Sequence, residues 1–164
     1  MTETDDDGTM RTTRSSDDHH ERLRSELHAR IDAIAHTVSS GHPHEPALAR
    51  LMYFVRDDVL PHLEAEQEVL YPAARAAGNH DLVEALECDH RAVLTVIGEI
   101  DRSSTATQAA LRAHTLGRLF SLRAEKEENI LIPSLERAGV DVSELLDRVV
   151  VQMATEHDSR FTYF

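Results

Sequence analysis

The chain has 164 residues, 30 of them acidic and 17 basic, for a formal net charge of −13. It is long enough for one domain with its own core and short for two. The acidic balance argues against nucleic acid or an anionic membrane as a partner, since each calls for a basic face. No apolar run approaches the roughly 20 residues of a spanning helix.

Aromatic residues make up 4% of the chain and tryptophan is absent, a composition that favours Leu- and Ala-rich helices over strands. Cys88 is the only cysteine, so no internal disulfide is possible. The start of the chain is polar rather than signal-like, and a cytoplasmic protein is expected.

In chain order, residues 1–18 are expected to form a disordered acidic tail, with little to bury against the entropy of ordering. Helical periodicity begins near Asp17. Leu27, His28, Ile31, Ile34, Ala35 and Val38 share one face, and Ser39-Ser40-Gly41 with Pro43 ends the helix. A second helix is expected over 45–76, with Leu51, Met52, Val55, Val59, His62, Glu66, Val69 and Leu70 inward and Gly78-Asn79 as its stop.

A third helix is expected over 81–103, with Leu82, Leu86, His90, Val93, Ile97 and Ile100 inward. A fourth is expected over 107–138, with Leu116, Phe120, Arg123, Glu127 and Ile130 inward and Gly139 closing it. A shorter fifth over 143–157 carries Leu145, Leu146, Val149, Val150 and Met153. The fold class is therefore all-α: an up-down four-helix bundle over 19–140, with residues 141–164 forming a C-terminal helix and tail packed on it.

A bundle core should be apolar, because an unpaired buried polar group is costly. Yet each of the four long helices interrupts its inner stripe: His28 on the first, His62 and Glu66 on the second, His90 on the third, Arg123 and Glu127 on the fourth. His62 and Glu66 are four residues apart and so point the same way, able to share a metal centre. Taken alone they would pass for an intrahelical pair. Likewise His28 or His90 alone would pass for a core histidine bonded to a carbonyl, and Glu127 for the salt-bridge partner of Arg123. Pro61 removes a helix hydrogen bond just before His62 and offers a way to re-aim it. His19, His20, His42, His44, His80 and His114 read as loop or surface residues.

At this point the chain resembles the hemerythrin-like, or HHE cation-binding, family. Residues 62–72, HLEAEQEVLYP, carry its second-helix motif, and 123–133, RAEKEENILIP, repeat it with Glu127 matching Glu66 and Pro133 matching Pro72. His90 in ECDHRAVLTVIG and His28 in SELHARIDAI fit the histidines of the third and first helices. The resemblance covers about residues 20–138.

It implies a hemerythrin-type bundle around non-haem iron, one or two ions per chain, held by His28, His62, Glu66, His90 and Glu127. The small partners implied are dioxygen, peroxide or nitric oxide. The chain departs from the pattern at Arg123, which stands where the fourth-helix histidine belongs, and at Leu94, where some members carry a second third-helix histidine. Guanidinium has no lone pair to give, so Arg123, with Tyr71 near it, modifies the site rather than ligating. Three functions fit these residues: a sensor or handler of those small molecules, with enzyme status open; a regulatory module with a protein partner, its metal chemistry partly lost; and a structural zinc site. Cys88 as a redox thiol, His157 as a replacement ligand and the aromatic end Phe161–Phe164 as a docking element are subsidiary expectations.

Overall fold

The computed structural model describes the backbone of residues 6–161 and the side chains of residues 18–155. Residues 1–5 and 162–164 and the side chains of His157 and the aromatic end lie outside the described residues, whereas residues 6–18 of the stretch expected as a disordered tail are helical and continue into the first helix. The first helix runs Asp6–Ser40. The second occupies 45–76 as Glu45–Phe54, a wider π turn at Val55–Val59, and Leu60–Ala76. The third is His80–Asp101. The fourth occupies 106–137 as Ala106–Lys126, a π turn at Glu127–Leu131, and Ile132–Arg137; the fifth is Val142–Phe161. No strand occurs among the described residues, and no helix is long and apolar enough to cross a membrane.

The helix stops follow from local chemistry. Gly78 and Gly139 take positive φ (89° and 75°), which only glycine adopts without strain. In each case the glycine N–H and the next N–H bond back to the last turn: Gly78 to Arg75 and Asn79 to Ala74, then Gly139 to Glu136 and Val140 to Leu135. Thr105 caps the fourth helix, its side chain accepting from Gln108 N–H.

Both π turns end two residues before a proline, and the residue between closes them. Leu60 N–H reaches back to Val55 O ahead of Pro61, and Ile132 N–H to Glu127 O ahead of Pro133. A helical proline clashes with the carbonyl four residues back, and a widened turn relieves that clash. Each π turn inserts one residue and so rotates the helix beyond it. For this reason Leu131 is fully buried while Ile130, expected inward, is 49% exposed. Leu131→Ala is therefore expected to cost about 2–5 kcal/mol, and Ile130→Ala to stay within about 0.5 kcal/mol; paired denaturant titrations check this.

The first helix is also rotated relative to its expected face. His20, Leu23, Leu27, Ile31, Ile34 and Thr37 are buried, whereas His28, Ala35 and Val38 are exposed. On the fifth helix Leu145, Leu146 and Val149 are buried as expected and Val150 is exposed. That helix packs on residues 60–76 and on the first helix.

Two apolar clusters result. One gathers Leu27, Ile31, Leu51, Val59, Leu63, Ile97, Leu116 and Phe120. The other gathers Val69, Leu70, Tyr71, Leu86, Leu131 and Leu135 with the fifth helix. The buried polar residues His20, His62, Glu66, His90, Arg123 and Glu127 interrupt the apolar stripes between the two.

Candidate metal centre

The polar layer is built from one or two positions on each of the four long helices. From the second helix, His62 and Glu66 lie one turn apart and are 3% exposed each, with His62 Nε2 2.9 Å from Glu66 Oε1. From the first comes His20, whose Nε2 is 2.8 Å from the same Glu66 oxygen. One donor atom from each of His20, His62 and Glu66 can be chosen so that all lie within 4.8 Å of one another.

This corrects the expectation for the first helix. His28 is exposed, and its Nδ1 bonds the carbonyl of Arg24 one turn back. The cause is the antiparallel hairpin. Glu66 lies 21 residues past the start of the second helix at Glu45, and His20 lies 20 residues before the end of the first at Ser40, so the two are level. His28, eight residues nearer the link, sits about 12 Å further along at 1.5 Å per residue. Arg30 over the ring of Phe54 marks the same register lower down.

The fourth helix brings Arg123 and Glu127. Arg123 is 1% exposed; its Nη2 lies 3.1 Å from Glu127 Oε1 and 3.5 Å from Glu66 Oε2. The guanidinium donates to the Tyr71 hydroxyl from Nη2 at 3.0 Å and from Nε at 3.3 Å. Burial pushes the Tyr71 phenol up, so it stays a neutral hydroxyl that accepts from Arg123. His90, on the third helix, is buried and within electrostatic reach of Arg123 and Glu66; burial and Arg123 lower its pKa. It is not among the three residues whose donors converge.

Burial disfavours a charged His20, but hydrogen bonds to Glu128 and Glu66 outweigh it and raise its pKa to about 10. Burial works against the Glu66 carboxylate as well, yet the histidines His62 and His20 hold it well below the usual range. Burial pushes Glu127 up to about 8 against the pull of Arg123, with the Glu66 charge adding to the rise. Glu66 thus carries the firm negative charge of the carboxylate pair. His62, its pKa lowered by burial, presents neutral imidazole.

Whether these residues suit a cation is answered by what they leave unfilled. Both ring nitrogens of His62, Glu66 Oε2, His90 Nδ1 and Glu127 Oε1 are buried without a hydrogen-bond partner. The close approaches of His62 to Glu66 and of Arg123 to Glu127 lie off the hydrogen-bond axis. Buried polar atoms are rarely left so. A metal ion would satisfy the unpartnered atoms of His62 and Glu66, with His20 Nε2, 2.8 Å from Glu66, as the third donor. On the Arg123 side the guanidinium fills the space with positive charge and no lone pair. The donor set fits one cation.

From sequence His20 reads as a surface residue, and counting back from the hairpin link is the signal that finds it. Glu128 is not singled out by sequence at all. Its Oε1 accepts from His20 Nδ1 and Arg24 Nη2, each at 2.7 Å, a pairing across more than 100 residues that local spacing does not reveal. Cys88 is exposed, and His114 is exposed as expected.

No curated protein and no solved structure matches the chain significantly. A family model does, described as hemerythrin HHE cation binding domain, over residues 12–158. The match extends past the 20–138 of the motif resemblance and takes in most of the fifth helix. The chain therefore belongs to the hemerythrin HHE cation-binding family, a metal-binding bundle whose centre here gathers His20, His62 and Glu66.

Proposed function

We propose that the chain holds a single iron ion on His20, His62 and Glu66, and that it senses or handles dioxygen, peroxide or nitric oxide there. The observation that carries this reading is the convergence of two imidazoles and one carboxylate in a buried layer where His62 and Glu66 keep polar atoms without a hydrogen-bond partner. Iron in a two-histidine, one-carboxylate set retains open positions and supplies redox chemistry towards small molecules.

The remaining residues have separable roles. Glu66 carries the negative charge that His20, His62 and Arg123 surround. Arg123 supplies the positive charge that a second ion would otherwise bring, and the Tyr71 hydroxyl orients it. Leu63 and Phe120, both buried, keep bulk water from the His62 side, which strengthens electrostatic interactions within.

A second reading has one specific observation behind it: an arginine in a ligand position is what a bundle kept as a regulatory module, with a protein partner, would tolerate. A structural zinc ion would use the same three donors. Anaerobic loading of the full chain with ferrous iron, followed by absorption spectra on addition of nitric oxide or peroxide, separates these. Retained iron and a changed spectrum are expected. No iron retained, or a spectrum indifferent to every small molecule, contradicts the proposal.

A further inference from the structure

Two adjacent histidines, His19 and His20, approach the second helix together, and both rings lie 4.9 Å from that of His62. Consecutive helical residues diverge by about 100°, so only one of them can face Glu66 squarely. The distance to His62 does not separate them. What does is the carboxylate behind His20.

We infer that Arg24 and Glu128 are a positioning pair that makes His20, and not His19, the first helix's ligand; this rests on the single-cation reading above. Glu128 Oε1 lies 2.7 Å from His20 Nδ1 and accepts a 2.7 Å hydrogen bond from Arg24 Nη2. Arg24 stands one turn beyond His20 on the same helix face, so both reach one oxygen of the fourth helix. An ionised carboxylate can only accept. The proton of the metal-bound imidazole therefore stays on Nδ1, and the Nε2 lone pair is left for the cation beside Glu66.

Metal-ligating histidines nearly always give their second ring N–H to such a partner, which fixes tautomer and ring orientation. Among the described residues no carboxylate anchors His19 in this way, and its buried Nε2 is without a partner. His62 Nδ1 and His90 Nδ1 are unpartnered too. Among the described residues His20 is the one histidine of the layer held from behind by a carboxylate. The adjacent pair Glu127-Glu128 thus divides its work: Glu127 points inward at Arg123, and Glu128 points sideways to set the first helix.

The test is zinc affinity of the full chain, measured by competition with a chromophoric chelator, for wild type and the Glu128→Ala, Glu128→Gln and Arg24→Gln variants. Circular dichroism of the metal-free proteins controls for folding. Glu128→Ala should weaken zinc binding by about 10–100-fold. Glu128→Gln, which keeps an accepting oxygen in the same shape, should lose less, as should Arg24→Gln. Long-range ¹H–¹⁵N NMR of the zinc-loaded protein should show the His20 proton on Nδ1 in wild type and a disturbed His20 pattern in Glu128→Ala. Unchanged affinity and tautomer in a folded Glu128→Ala protein, or a wild-type zinc signal on His19, overturns the positioning role and leaves the cation reading standing. Wild-type protein that takes up no zinc, cobalt or iron overturns both.

Discussion

Replacing Arg123 with histidine is expected to raise the cation content from about one per chain towards two. Arg123 stands four residues before Glu127 as His62 stands before Glu66, so an imidazole there has the spacing that serves the first ion. His90 and Glu127 hold unfilled lone pairs on the same side. The guanidinium fills that position with charge but cannot ligate. Removing it also exposes what it compensates. A buried ion pair that loses one partner typically costs about 3–5 kcal/mol, so metal-free Arg123→His and Arg123→Met proteins should both unfold more easily than wild type. Added metal should restore the histidine variant most, because an ion that binds only the folded state stabilises it. Elemental analysis per chain, with thermal unfolding in the presence and absence of metal, reads both effects. A count still near one in the histidine variant would contradict the assignment of Arg123.

The second large effect separates two histidines of one helix. His20→Ala should weaken metal binding by more than the roughly 10–100-fold that loss of an outer partner costs, because it removes one of three converging donors and leaves Glu66 to His62 and Arg123. His28→Ala should leave metal affinity within about threefold and change stability by no more than about 0.5 kcal/mol, as an exposed position generally does. Isothermal titration with zinc on both variants decides it. A larger loss for His28 than for His20 would place the first-helix ligand eight residues further along.

Much of this architecture is legible in the residues. The glycine stops and the inner faces of the second and third helices follow from periodicity and local backbone chemistry. Every inner residue expected on the second helix is buried, from Leu51 to Leu70. The first helix is harder because its apolar stripe is short and His28 adjoins Leu27 and Ile31, which makes it look inward. The heights of residues in an antiparallel hairpin, counted from its link, identify His20 without any motif.

The π turns are illegible for a different reason. Periodicity of 3.6 carries one phase through a whole helix, and an inserted residue resets it, which moves burial from Ile130 to Leu131. Pro61 and Pro133 are the visible signs, each directly following a residue that bonds five back. Pro72 lies inside its helix with no such turn, so a proline alone does not announce one. Glu128 is beyond the reach of local pattern, since its partners lie on the first helix and only tertiary packing brings them together.

Crystals of the full chain loaded anaerobically with ferrous iron, with anomalous diffraction recorded at the iron edge, test the central claim most directly. The single-cation account predicts one anomalous peak per chain within bonding distance of His20, His62 and Glu66, and the Arg123 guanidinium beside Glu127 in place of a second ion. Two peaks in the wild-type protein, a peak at His28, or no peak at this layer would contradict it.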